Sequence, residues 1–177
     1  MDCPQNEYRQ GIADLMSYEN AQNEVFLPAY AIGLKDLTAG RLMDAAVLTG
    51  WRVFMPQPGG GALFAEMTLA SGGGASVLGS VSQGDRAQEA LKALRAVEAR
   101  PEVKSCEIRW LSVPGVLFEG FWLKSNEANQ PDSIIPVFTL DDSLRLDSMA
   151  AADFLAIAQP FGVNRLKYTD FPQYGQA

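Results

Sequence analysis

The stretch CEIRWLSVPGVLFEGFWL, residues 106–123, decides how this chain folds. Pro114 and Gly115 stand at its centre and predict a tight turn between two strands. By alternation, one face of the hairpin carries Ile108, Trp110, Leu117, Phe121 and Leu123, and the other carries Leu111, Val113, Val116, Phe118 and Trp122. Both faces are apolar, so the pattern predicts a strand pair that is covered on both sides.

The second cover has three candidate sources, namely helices of the same chain, another subunit, or a bound ligand or partner. Tryptophan and phenylalanine are favoured anchors at protein interfaces. Trp110, Phe118, Phe121 and Trp122 are therefore the candidate partner-binding residues. The competing interpretation is that all four belong to a core between two helical layers.

On both sides of the hairpin, glycine and proline residues mark the boundaries between short predicted helices and strands. Strands are predicted at 51–55, 62–70, 76–82, 104–113, 116–124 and 134–139, and helices at 6–20, 38–49, 85–100 and 147–158. This order predicts a single α+β domain, residues 1–177, with a mainly antiparallel sheet of about six strands in two groups of three. Residues 1–35 are expected to form an N-terminal helix and an irregular arm, and residues 160–177 an irregular tail.

Two of the helices have a clear apolar stripe. In the first, Tyr8, Ile12, Leu15, Met16 and Glu19 follow three-and-four spacing with one polar exception. In the third, Asp85 is the expected N-cap, and the buried stripe comprises Ala87, Ala90, Leu91, Leu94 and Val97. Gly50 is expected to end the second helix, and Pro160 the last one.

A short similarity indicates a possible internal duplication. Gly61-Ala-Leu-Phe and Gly115-Val-Leu-Phe both follow a Pro-Gly turn and both open a predicted strand. Hairpins in general place glycine first and apolar residues next, so turn chemistry explains the same four positions equally well. Pro136 interrupts the last predicted strand, which favours an edge position for it.

The chain contains no histidine, and this absence restricts its chemistry. Histidine triads are excluded, and the usual metal ligand is missing. Cys3 and Cys106 are too far apart in sequence to form a CxxC motif. We therefore expect no cofactor, no metal and no histidine-dependent catalysis, and we assign no catalytic residue.

The remaining catalytic hypotheses use carboxylates or a thiol. Glu66 and Glu119 lie in predicted strands and could form the carboxylate pair of a glycosidase, although a strand glutamate is more often solvated or ion-paired. Asp141 and Asp142 could bind Mg²⁺ but more often begin a turn. Cys106, near Lys104 and Glu107, is more simply a buried, inert thiol.

Two glycine clusters, 59–61 and 72–74, resemble phosphate-binding loops only in composition. Residues 74–80 have the G-x-x-x-x-G spacing of a P-loop, but the lysine is missing and the glycines stand between predicted strands. Flexible hairpin loops explain both clusters.

Charge and hydropathy limit the partners. The net charge of −7 argues against nucleic acid, because an acidic surface repels phosphate. The first residues lack the basic and apolar regions of a signal peptide, and no stretch is long enough for a membrane span. We expect a cytoplasmic protein without membrane contact.

The predicted element order and the acidic charge resemble those of the small dimeric chaperones of type III secretion, which carry extended effector segments on their surface. The doubly apolar hairpin, the scarcity of acid/base groups and the acidity predict a non-enzymatic protein-binding module, adaptor or secretion-chaperone-like protein whose partner is a second copy, as a homodimer, or another protein. The alternative is a small-molecule or carbohydrate binder that stacks its ligand on Trp110 and Trp122, or a hydrolase that uses Glu66 and Glu119.

Overall fold

The computed structural model describes residues 24–69, 76–140, 142–144 and 147–169, and within these ranges eight strands form one mixed sheet. The strands are Val25–Ala31 (β1), Val47–Pro56 (β2), Ala62–Leu69 (β3), Ser76–Gln83 (β4), Cys106–Val113 (β5), Phe118–Ser125 (β6), Ser133–Thr139 (β7) and Met149–Ala150 (β8). The described helices are Leu34–Thr38 (α1), Asp85–Glu98 (α2) and Ala151–Thr169 (α3). The strand order across the sheet is β4-β3-β2-β1-β5-β6-β7-β8.

The sheet consists of two antiparallel meanders, β1–β4 and β5–β8, joined at its centre. Every neighbouring pair is antiparallel except β1 and β5, which run parallel. A pseudo-twofold axis between β1 and β5, along the strand direction, therefore relates the two meanders and exchanges the faces of the sheet. Each meander is followed by a helix, and the two helices lie on opposite faces, here named the α2 face and the α3 face.

The expected α+β class is confirmed, but the sheet has eight strands rather than about six, and it is mixed. The residues before Gly33, which were expected to be irregular, form the central strand β1. Pro28 argues against a strand at this position, because proline is rare in central strands. It is tolerated there because β5 pairs with β1 only from Ala29 onward, so the missing N–H of Pro28 breaks no bond to β5.

The helix predicted at 38–49 is wrong. The chain forms the short helix α1, turns at Gly40 with a φ of 74°, and enters β2 at Val47. Gly50 lies within β2 and does not end a helix. It allows β3 to approach closely, because a Cβ atom there would come 1.8 Å from the carbonyl oxygen of Met67 on β3.

The last helix is also longer than predicted, and Pro160 lies inside it. Contacts with α1 hold the part of α3 around this proline. The Gln159 side chain donates a hydrogen bond to the Thr38 carbonyl at 3.0 Å, and a Cβ atom on Gly162 would lie 3.0 Å from the Leu37 side chain. Tertiary packing therefore outweighs the local signal of the proline.

Other expectations are confirmed residue by residue. The buried side of α2 consists of Ala87, Ala90, Leu91, Leu94 and Val97, as the spacing predicted, although Gly84 rather than Asp85 is its N-cap. The two stretches that indicated a duplication lead into β3 and β6, which begin at Ala62 and Phe118. The pseudo-twofold axis instead relates β2 to β6 and β3 to β7, so turn chemistry explains that similarity.

Some expectations fall outside the described residues. These are the helix at 6–20, the glycines at 72–74, and the part of the tail beyond Thr169. Residues 160–169, expected in the tail, belong to α3. Among the described helices, none combines the length and apolar character needed to cross a bilayer.

Candidate functional site

The four candidate partner-binding side chains all lie in the interior. Trp110, Phe118, Phe121 and Trp122 are 0, 1, 0 and 3% exposed. Trp110 and Phe121 pack on the α2 face, and Phe118 and Trp122 pack on the α3 face. Helices of the chain itself thus cover both sides of the hairpin, and a role for these residues in partner binding stays a prediction. Other side chains form the surface that a partner meets in this conformation.

The two indoles have different polar environments. Trp110 is surrounded by phenylalanine rings, and its buried Nε1 has no hydrogen-bond acceptor among the described residues. Trp122 donates from Nε1 to Oδ2 of Asp132 at 2.8 Å, and the Arg109 guanidinium lies 4.6 Å from its ring centroid. Because both indoles are buried, neither presents a free ring face on which a sugar or aromatic ligand could stack.

The proposed carboxylate pair is not brought together. Glu66 on β3 and Glu119 on β6 are four strand spacings apart, about 19 Å, whereas glycosidase carboxyl groups are separated by roughly 5 to 9.5 Å. Each glutamate has its own arginine, with Arg52–Glu66 at 2.7 Å and Arg86–Glu119 at 2.6 Å. Both carboxylates are therefore held in ion pairs with arginines.

The other candidates also lack a built site. The glycines at 59–61 form the β2–β3 hairpin loop, where Gly59 and Gly60 have φ values of 82° and 90°. Cys106 is a free, half-buried cysteine at the start of β5. Asp142 begins a short turn, and Asp141 is outside the described residues. Across the described ranges, no group of three or more Cys, Asp or Glu residues could hold a metal ion.

A groove of about 900 Å³ lies on the α2 face, between α2 and the outer part of the second meander. One wall is the side of α2 that carries Arg86, Ala93 and Ala96, and Arg100 extends it just beyond the end of the helix. The opposite wall is formed by residues 135–140, which comprise most of β7 and the residue after it. We call this feature the β7 groove.

The middle of the groove is apolar, and its two ends are charged. Ala93 and Ala96 are small and line the helix side, so the space beside them is free for larger side chains. At one end the Arg86 guanidinium pairs with Glu119 and lies 3.9 Å from the ring centroid of Phe138. At the other end Arg100 donates a hydrogen bond to the Asp147 carbonyl at 3.4 Å.

The outer edge of β7 opens beside this groove. Strand β8 is only two residues long and pairs with Ser133 and Ile134 alone. No described strand pairs with residues 135–138 on that side of β7, so the main chain there forms a short sheet edge. Pro136 interrupts the edge, which agrees with the position that its sequence predicted.

Sequence reasoning missed this groove because it lies between two elements far apart in the chain. The α2 stripe was predicted, but the stripe identifies the residues under the helix and not those along its side. Pro136 was the available signal, since it marked β7 as a strand with an accessible edge.

Comparison with protein families, with curated proteins and with solved structures finds no match to this chain.

Proposed function

We propose that this domain is a non-enzymatic protein-binding module, of an adaptor or chaperone-like kind, that holds an extended segment of another protein in the β7 groove. The observation that carries the proposal is the edge of residues 135–138, with which no described strand pairs on the outer side, beside a groove whose middle is apolar. In this binding mode the main chain of the segment adds a strand to the sheet, and its side chains enter flanking pockets.

The dimensions of the groove fit an extended segment. Arg86 and the last residue of α2, Glu98, are twelve positions apart, which corresponds to about 18 Å of helix, and Arg100 follows just beyond it. A strand covers this length with about six residues. Alternate side chains of such a strand point toward α2, where Ala93 and Ala96 leave room for bulky apolar groups.

The described chemistry supports binding rather than catalysis. Glu66 and Glu119 are far apart, and each is neutralised by an arginine. The groove itself is lined by Glu89, Glu119 and Asp147 together with two arginines, a mixture that selects no strongly charged ligand. We therefore expect the preferred segment to be apolar at alternate positions and close to neutral.

The test uses a displayed library of unstructured peptides of about ten residues, selected on the full chain. Ala96→Trp fills the groove, whereas Ala99→Trp makes the same change at an exposed position that does not line it. We expect selected peptides to bind the wild type and Ala99→Trp alike, and to lose at least about tenfold in affinity for Ala96→Trp, or about 1.4 kcal/mol. Fluorescence anisotropy measures the three affinities.

N-methylation of alternate peptide residues distinguishes strand addition from side-chain docking, because it removes main-chain donors. It should abolish binding in one of the two alternating registers. Peptides that bind Ala96→Trp as tightly as the wild type, or a library that yields no binder, would refute the proposal. Light scattering shows whether a second copy is the occupant instead: a wild-type dimer that Ala96→Trp dissociates and Ala99→Trp preserves would replace the foreign segment with a second copy.

A further inference from the structure

A second cavity, of about 400 Å³, lies between the C-terminal half of α3, the β5–β6 turn and the residues that follow β7. We call it the α3 pocket. The lining residues on which the argument depends are Leu117, Leu140, Leu144, Phe161, Arg165 and Tyr168. Of these, Leu144 is fully buried and forms part of the base, whereas the others are exposed and form the walls.

The exposed apolar side chains of the described surface are concentrated at this pocket. Seven large hydrophobic residues are exposed in the described ranges, and four of them line the pocket, namely Leu117, Leu140, Phe161 and Tyr168. Single exposed hydrophobic residues are ordinary, but a group of them around one cavity marks a binding site. The volume and the mainly apolar walls are those of a small-molecule site.

The backbone of Leu117 is held in a conformation that leucine disfavours. Among the described residues, Leu117 is the only non-glycine residue with a positive φ, at 52°. Bulky residues in this left-handed region are strained, and such strain is concentrated at ligand-binding sites. The side chain of Leu117 is 45% exposed at the pocket wall, where a bound apolar group would bury it further.

Arg165 is the only charged residue that lines the pocket. The arginines of the β7 groove have carboxylate partners, because Arg86 pairs with Glu119 at 2.6 Å and Arg100 lies 3.9 Å from Glu102. Arg165, in contrast, has no ion pair with any residue that the structure describes. An apolar cavity with one unpaired cation complements a ligand that has an apolar body and one negative charge.

We propose that the α3 pocket binds a free aliphatic carboxylate, with the chain among the apolar walls and the carboxylate at the Arg165 guanidinium. A carboxylate on a protein segment is the competing source, because Leu117 and Leu140 also line the β7 groove. That groove lies on the α2 face, however, whereas the pocket lies against α3 on the opposite face. A straight strand along β7 therefore does not enter the pocket, and the proposal does not depend on the function proposed for the groove.

The test is a calorimetric titration of the full chain with decanoate, at concentrations below micelle formation. Decyltrimethylammonium, which has the same chain and the opposite charge, is the control ligand. Arg165→Gln removes the charge of the pocket. Its matched control is Arg95→Gln, because Arg95 is also exposed and without an ion pair among the described residues but lines neither cavity. Leu140→Ser removes an apolar wall at a position that is 76% exposed, and Val47→Ser makes a similar change at an exposed position away from the pocket.

We expect decanoate to bind the wild type, Arg95→Gln and Val47→Ser alike, and to bind Arg165→Gln and Leu140→Ser about threefold to tenfold more weakly. Decyltrimethylammonium should bind the wild type more weakly than decanoate does. Ala96→Trp, which fills the β7 groove, should leave the affinity for decanoate unchanged, so failure of the groove proposal would not affect this result.

Three outcomes would overturn the proposal: no binding of decanoate, equal affinities for the two decyl ligands, or equal affinities of Arg165→Gln and Arg95→Gln for decanoate. An acetylated hexapeptide of apolar residues that ends in aspartate is the third probe. If this peptide binds with a dependence on Arg165 and decanoate does not bind, the carboxylate belongs to a protein segment and the free acid is excluded.

Discussion

The two buried tryptophans of the central hairpin should respond very differently to the same substitution. Trp110→Phe and Trp122→Phe each remove part of a buried ring, and the loss of about two buried carbon groups lowers the free energy of unfolding by about 1–2 kcal/mol. At Trp110 the substitution also removes an N–H that has no acceptor among the described residues, which returns about 1–3 kcal/mol. The net change at Trp110 is therefore close to zero.

At Trp122 the polar contribution has the opposite sign. Phenylalanine there removes the 2.8 Å hydrogen bond to the Asp132 carboxylate, and a bond to a charged group contributes about 1.5–3 kcal/mol. Asp132 keeps weaker partners in the Lys124 ammonium at 3.4 Å and the Ser125 backbone N–H at 3.0 Å. The total loss is about 3–4 kcal/mol, a large part of the stability of an ordinary domain.

Urea unfolding followed by far-ultraviolet circular dichroism measures both losses without depending on tryptophan fluorescence. Repeating Trp122→Phe in an Asp132→Ala background isolates the hydrogen bond, because alanine offers no acceptor to the indole N–H and the loss should then fall by about half. Equal losses for the two tryptophan variants, within about 0.5 kcal/mol, would refute this reasoning.

Three further changes test the fold. Gly50→Ala should lower the free energy of unfolding by more than about 3 kcal/mol, because the added Cβ would lie 1.8 Å from the Met67 carbonyl oxygen. Gly84→Ala should lower it by only about 1 kcal/mol, because Gly84 has a φ of 76° but open space around it. Similar melting temperatures for the two variants would contradict this expectation. Arg86→Met should change stability by less than about 1 kcal/mol, because its ion pair with Glu119 is half-exposed, and a larger loss in urea titration would show that the pair is structural. Treatment with a chelator should leave the melting temperature unchanged, and a drop of several degrees would reveal a metal site.

The sequence predicted what local patterns encode. The stripe from Ala87 to Val97 repeats at helical spacing, so the buried side of α2 followed from neighbouring residues alone. The faces of the central hairpin were also predicted, although its register was not. A two-residue turn would place Trp110 opposite Glu119, but the turn extends through Leu117, which has a φ of 52°, and Trp110 pairs with Phe121. This shift of two residues preserves the faces, whereas a shift of one would exchange them.

Non-local features were not predictable in this way. The parallel pairing of Ala29 with Trp110 joins two parts of the chain that are far apart in sequence, and neither local pattern indicates the other as its partner. Strand β1 was itself not predicted, because Pro28 is unusual within a strand. The β7 groove depends on the same long-range arrangement, because its walls come from α2 and β7. The sequence patterns therefore predict α2 and β7 individually but not the groove between them.

The parallel seam between β1 and β5 has a consequence for the order of folding. Within each meander the paired strands are neighbours in sequence, so their contacts close short loops. The seam pairs Ala29 with Trp110 and closes a much longer loop. Closing that loop costs conformational entropy before the contact can stabilise the sheet. We therefore expect the two meanders to collapse first and to dock late in the transition, so that substitutions at the seam mainly speed unfolding rather than slow folding.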